Sequence, residues 1–225
     1  TGQALVDLVL DKAGQKGTGR WTAQVALELA VPVPTIAAAV DARVLSSLKD
    51  ERVAAAPQLS GPVPAIEEAD RGAVLQDLHD ALFAARVCAY AQGLALIGSA
   101  SREYGWGVNL SEICRIWTAG CIIRARLLDD ARAALEHDLN LPNLLLADGI
   151  RQRVGAAQGG WRRSLARAST AGIPVPAHAA ALSYYDSYRT ARLPQSLTQA
   201  QRDAFGAHTF ERIDRDGPHH SEWNT

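Results

Sequence analysis

Gly14-Gln15-Lys16-Gly17-Thr18-Gly19-Arg20-Trp21-Thr22 is the stretch on which the reading of this 225-residue chain turns. Three glycines, two cations and two threonines stand between two apolar periodic segments. Glycine reaches positive φ and lets a ligand approach the backbone closely. Where such a loop opens into a helix, free N–H groups and the helix dipole favour an anion. A nearby lysine is a common fixed charge for phosphate. Two readings follow: a phosphate cradle, or a glycine-rich turn between helices whose charges are solvated. The spacing imitates a nucleotide-binding P-loop, but that motif needs Lys and then Ser or Thr after its second glycine. Arg20 and Trp21 stand there instead. The preceding run places Leu5, Leu8, Val9 and Lys12 at helical spacing, with Asp7 and Asp11 opposite, where a P-loop requires a strand. Both departures argue against a nucleoside triphosphatase.

Outward from this loop the chain reads as helix almost throughout. Alternating β-branched runs are nearly absent and alanine is abundant. The patterns predict helices over about 3–13, 20–30, 35–55 and 67–103. A further helix starts at Asn109 or Ser111, carries Glu112 in its first turn, and runs to about 136 with an interruption at Gly120. The segment with Arg151, Arg153, Trp161 and Arg162 is helical to about 171, followed by helices over 177–192 and 194–206. Pro32, Pro34, the 57–65 loop with its three prolines, Pro174 and Pro176 break the chain. From Ala207 the sequence reads as an extended polar tail. The fold class is therefore all-α: a multi-helix domain over 1–206 and a tail over 207–225.

One internal echo stands out. Val31-Pro32-Val33-Pro34 leads into Ile36 to Val40, and Ile173-Pro174-Val175-Pro176 leads into Ala179 to Leu182, with Trp21 and Trp161 upstream of each. This reads as an internally repeated helical unit, with a chance match as the other reading. The copies differ where chemistry counts: Arg43 in the first faces Tyr185 in the second.

Composition narrows the partners. A net charge of -1 gives no overall field for nucleic acid or an anionic membrane, so an anion site must be a local cluster. The three cysteines, Cys88, Cys114 and Cys121, are odd in number and lack metal-ligand spacing, which implies no metal and a reduced, cytoplasmic setting. No apolar run reaches the roughly 18 residues of a bilayer span, and no signal peptide opens the chain. The start at Thr1-Gly2, with no methionine anywhere, suggests a fragment or a processed chain.

With these elements placed, the chain resembles the C-terminal all-helical domain of decarboxylating 6-phosphogluconate dehydrogenase. The resemblance rests on Asp11 to Thr22, on Ala42-Arg43-Val44-Leu45-Ser46-Ser47-Leu48-Lys49-Asp50-Glu51-Arg52, on Tyr90-Ala91-Gln92-Gly93, on Gly120-Cys121-Ile122-Ile123-Arg124 and on Tyr184-Tyr185-Asp186. Gln201 to Arg212 and Trp223 extend it through the tail, so it covers nearly the whole chain.

The resemblance implies a site for 6-phospho-D-gluconate, built by Lys16 and Thr18 in the loop, Arg43 on the long helix over 35–55, and Arg202 and His208 from the tail region. It also implies a homodimer in which each tail reaches the active site of the partner subunit. Several donors converging on a phosphate dianion suit its charge, and Arg can bind it bidentately. Taken without the resemblance, Arg43 reads as a surface or ion-paired helix residue and His208 as a tail histidine without a role.

The family's NADP is bound mainly by an N-terminal Rossmann domain, and its catalytic Lys, Glu and His-Asn pair also lie upstream. No residue of this chain is assigned those roles, so the chain alone is expected to be inactive. The expected whole is an NADP-dependent oxidative decarboxylase yielding ribulose 5-phosphate, of which this is the substrate-binding and dimerisation part. The alternative is a non-catalytic helical dimer that binds a sugar phosphate. Departures from the family pattern fall at Ala204, Phe210, Thr118-Ala119, His178 and His219.

Overall fold

The alanine-rich, strand-poor sequence folds as expected. The computed structural model describes residues 2–63 and 71–223. Among the described residues the secondary structure is helical apart from one two-residue hairpin. The helices are α1 (Thr18–Glu28), α2 (Pro34–Ser47), α3 (Lys49–Ala55), α4 (Arg71–Glu103), α5 (Leu110–Trp117), α6 (Leu127–His137), α7 (Asp148–Thr170), α8 (Pro176–Tyr188) and α9 (Gln195–Gly206). Strands β1 (Phe210–Glu211) and β2 (Pro218–His219) pair antiparallel. Contacts divide the chain into two compact units, Thr1–Tyr185 and Asp186–Thr225.

In the first unit α4 is the axis. It spans 33 residues and packs along α7, with further contacts to α2 and α5. Its buried positions are mostly small: Ala81, Ala84, Ala85, Cys88 and Ala91. Small side chains on one helix and Ala157 and Gly160 on the other let the axes approach, and Trp161, Leu128 and Ile150 fill the remaining core. A Cβ built on Gly160 would lie 2.9 Å from the Cβ of Asp80. The buried carboxylate of Asp77 is held by Arg163 at 2.7 Å and by Arg167 at 3.5 Å, an ion pair that joins α4 to α7. By length and apolar composition α4 could cross a bilayer, which the absence of a long uninterrupted apolar run did not suggest. Half of its most apolar window is instead buried inside the protein.

The element boundaries have local causes. Asn109 is the cap of α5: its Oδ1 accepts from the Ser111 and Glu112 N–H groups at 2.9 and 3.4 Å. Gly105 and Gly107, at φ 67° and 63°, turn the chain out of α4. The repeated unit is visible in the backbone. Ala30 and Gly172 are both left-handed, and in both copies the next residue donates back to close the helix end. Val31 N–H reaches Ala26 O, and Ile173 N–H reaches Ala168 O, each at 2.8 Å. Each copy then restarts with proline in the first turn of α2 or α8.

Three expectations differ from what formed. The helix expected over 3–13 is only a 3-10 turn, Leu5–Leu8, whose leucines and valines are exposed. A helix this short gains little without a surface to bury its apolar face. The helix expected over 35–55 breaks at Leu48, because Ser46 and Ser47 donate their hydroxyls back to the Arg43 and Val44 carbonyls at 2.7 and 2.6 Å. The interruption expected at Gly120 formed but is wider, an irregular connection over 118–126 with Gly120 at φ 72°. The expected start of the long helix at 67 lies outside the described residues.

Crowding at Gly160 makes a testable claim. Gly160→Ala should cost roughly 1–3 kcal/mol by overpacking against Asp80. That exceeds the roughly 0.5–1 kcal/mol that alanine gains over glycine inside a helix. Gly155→Ala, on the same helix but with nothing within 4 Å of the new Cβ, should stabilise. Urea unfolding midpoints of the two variants should move in opposite directions; equal midpoints would refute the tight α4–α7 contact.

Candidate functional site

The glycine-rich loop opens directly into α1. Gly17 precedes the helix at φ 106°, a left-handed conformation open to glycine, and no side chain caps α1. The first N–H groups of α1 therefore point outward without intrahelical partners. Gly19 sits against α2: a Cβ there would lie 2.8 Å from Cγ2 of Val40. This contact sets the start of α1 beside the helix that carries Arg43.

Arg43 and the loop are tied together. Its Nε and Nη2 donate to the Gly14 carbonyl at 3.0 and 2.6 Å. A guanidinium has five N–H groups, so its Nη1 edge remains available. One residue earlier the Ala13 N–H donates to Ser46 Oγ at 2.9 Å. Asp11 anchors the upstream arm: Lys49 Nζ lies 2.6 Å from one carboxylate oxygen and Arg52 lies 3.1 Å from the other. The hydrogen bonds from Lys49 and Arg52 hold the Asp11 carboxyl below its ordinary range. Lys16 and Thr18 are exposed between these anchors. Lys16 has no hydrogen bond or ion pair among the described residues. The structure thus brings Arg43 to the loop that bears Lys16 and Thr18. Asp11 and Ser46, which do the anchoring, carry no local sequence signal for that task; only their place in the two matching motifs marked them.

Arg202 and His208 lie in the second unit, and both line one shallow cleft with Thr198, Gln201 and Phe205. Beneath them Asp203 is fully buried. Its Oδ1 accepts from the Thr209 N–H at 2.9 Å and lies 2.9 Å from His220 Nδ1. Its Oδ2 accepts from the Ser221 N–H at 3.1 Å and from Trp223 Nε1 at 2.8 Å. Burial opposes ionisation of this carboxyl, but the bonds from Trp223, His220, Ser221 and Thr209 outweigh it and hold the pKa well below the usual range.

Elsewhere, an apolar cleft of the first unit, about 680 Å³, is lined by Ile36, Tyr90, Ile97, Trp117, Ile122 and Ile123, with Arg86 and Arg124 at its walls. Burial pushes the Cys88 thiol up to about 12 and that of Cys114 to about 11, so neither is a ready nucleophile. Among the described residues no cluster of three or more His, Cys, Asp or Glu could hold a metal ion.

Comparison with known proteins converges on one family. Residues 1–223 match the family model described as 6-phosphogluconate dehydrogenase, C-terminal domain. A decarboxylating 6-phosphogluconate dehydrogenase of Synechococcus elongatus is 56% identical over 223 residues, covering 99% of this chain and 47% of that protein. The NADP(+)-dependent, decarboxylating enzyme of Bacillus subtilis is 48% identical, covering 99% and 48%. A Plasmodium falciparum 6-phosphogluconate dehydrogenase, solved in its apo form, with NADP+ and with 6-phosphogluconate, superposes with a TM-score of 0.92 at 39% identity. That match covers 99% of this chain and 48% of the solved one. The chain spans about half the length of the curated relatives it matches.

The buried carboxylate of the second unit predicts an acid response. Its folded pKa lies below the ordinary value of 3.8, so its contribution to stability is full above that value and is lost as pH falls beneath it. The NMR signal of the Trp223 indole N–H should hold down to about pH 4 and weaken progressively only in stronger acid. In Asp203→Asn that acid step should vanish; an identical step in the variant would assign it to another group.

Proposed function

The chain belongs to the 6-phosphogluconate dehydrogenase family, as its C-terminal domain, and from that premise we propose that it supplies the substrate-phosphate site and the dimerisation surface of an NADP-dependent oxidative decarboxylase. The substrate is 6-phospho-D-gluconate and the product ribulose 5-phosphate. The observation that carries this reading is Arg43 on α2 pinned to the loop of Lys16 and Thr18, at the uncapped start of α1.

The substrate brings about three negative charges, up to two of them on phosphate. Lys16 supplies a flexible point charge, and Thr18 a hydroxyl at the helix start. Arg43 supplies a guanidinium whose free edge can donate while its other edge keeps the loop in place. Arg202 and His208 add donors from the second unit. We assign them to the active site of a partner subunit, with residues 207–225 as the tail that crosses and 1–206 as the helical domain.

The elements of this chain do not fit the dinucleotide. Among the described residues there is no strand–turn–helix with a glycine fingerprint. NADP, which accepts the hydride, is therefore assigned chiefly to the upstream half, as are the proton-transferring groups.

Calorimetric titration of this chain with 6-phosphogluconate tests the phosphate site. Lys16→Ala and Arg43→Ala should each weaken binding about tenfold or more, the usual scale for one charge-assisted contact. Affinities unchanged in both variants would refute the assignment. Tail exchange has its own check: a chain ended at Gly206 should dissociate to monomers at higher concentration in light scattering. An equally tight dimer would refute the crossing tail.

A further inference from the structure

We propose that Asp203, together with Gln199, is the positioning pair that presents Arg202 and His208 to the substrate. This rests on the substrate-binding reading of those two residues given above.

Arg202 and His208 are exposed, and each sits where freedom would otherwise be large: one on the last turns of α9, the other beyond the helix end. Ala207 and Thr209, on either side of His208, are both left-handed, at φ 52° and 58°. Neither is glycine, and side chains disfavour this conformation. Two positions of this kind flanking one residue persist only where their surroundings over-determine them.

The determinants are specific. Ala207 N–H donates to the Asp203 carbonyl at 2.8 Å. Thr209 N–H donates to the Asp203 carboxylate at 2.9 Å, and Thr209 O accepts from Gln199 Nε2 at 2.6 Å. Both polar groups of the residue after His208 are thereby fixed. Gln199 uses its other end on Arg202, whose Nη1 donates to Oε1 at 3.1 Å. One amide thus links the arginine to the turn that carries the histidine. Gly206 completes the arrangement: a Cβ there would lie 3.1 Å from the His208 ring, so the imidazole rests against bare backbone.

A clasp for the tail would need only the bonds to His220, Ser221 and Trp223. The same carboxylate also sets the turn at 207–209, and it lies on the buried side of α9 while Arg202 and His208 open into one cleft. The carboxylate is buried and its described donors are neutral N–H groups and His220, so its burial without Arg or Lys is costly to maintain unless those donors stay in place. That ties the geometry of the cleft to the closure of the tail.

Steady-state kinetics of the full-length protein carrying this chain test the inference. Asp203→Asn should raise KM for 6-phosphogluconate about tenfold with kcat within about twofold, the pattern of lost uniform binding. Asp203→Glu should recover part of the loss. Gln199→Ala, which removes no buried charge, should raise KM about threefold or more. A purely structural role would lower kcat through the active fraction and leave KM alone. If Asp203→Asn fails to fold by melting temperature, Gln199→Ala decides. KM unchanged in Gln199→Ala and in folded Asp203→Asn, while Arg202→Ala and His208→Ala raise it, would overturn this inference alone. KM unchanged in Arg202→Ala and His208→Ala as well would overturn the substrate-binding reading on which it rests.

Discussion

The close packing of α4 on α7 is the constraint from which the first unit takes its geometry. Small residues on both helices bring the axes together, and the Asp77 carboxylate between Arg163 and Arg167 links the two helices near the start of α4. Further along α4, the buried Gln92 reaches α2. Its Oε1 accepts from the Thr35 N–H at 3.1 Å, and its Nε2 donates to Thr35 Oγ1 at 2.8 Å. An unsatisfied amide there would be costly, so the start of α2 has little freedom once α4 is in place. From α2 the contacts run outward to Val40 against Gly19 and Arg43 against Gly14. The loop is thus positioned through α2 by the helix core.

Two carboxylates tie down polar groups by different physics. Asp11 is half-exposed and bridges two cations, an arrangement that salt screens and that contributes modestly. Asp203 is buried and saturated by donors, so its effect is local, insensitive to salt and sensitive to any change of shape. The loop is therefore the more adjustable of the two, and the turn after α9 the more firmly set.

Much of this architecture was legible in the sequence. Proline and glycine mark where α2, α8 and the end of α4 fall, and Asn109 announces α5. What was not legible depended on contacts distant in sequence. Leu5 to Leu10 look helical, but no described surface takes up their apolar side. The break at Leu48 comes from Ser46 and Ser47 choosing carbonyls of their own helix. A two-residue hairpin is below the length at which any pattern repeats. Lys16, Thr18, Arg43, Arg202 and His208 were singled out by whole motifs. Asp203 stood inside one of those motifs without a role, because its partners lie 6 to 20 residues further along. Asp11 reaches residues 38 and 41 positions away, beyond any local periodicity.

The distribution of charge around the loop favours an anion there. The chain is close to neutral overall, and several of its cations already have carboxylates. Lys49 and Arg52 share Asp11, Arg163 and Arg167 share Asp77, Arg153 meets Asp130, and Arg132 meets Glu136. Arg43 is the exception on α2: it spends two donors on a neutral carbonyl. Lys16, a few residues from that carbonyl, has no partner among the described residues. Two cations left without counter-charges at an uncapped helix start concentrate positive potential locally on a protein whose far field is nearly zero. A multiply charged small anion gains from every one of these donors at once. A polyanion or an anionic membrane, which relies on an extended field, gains from only this one spot.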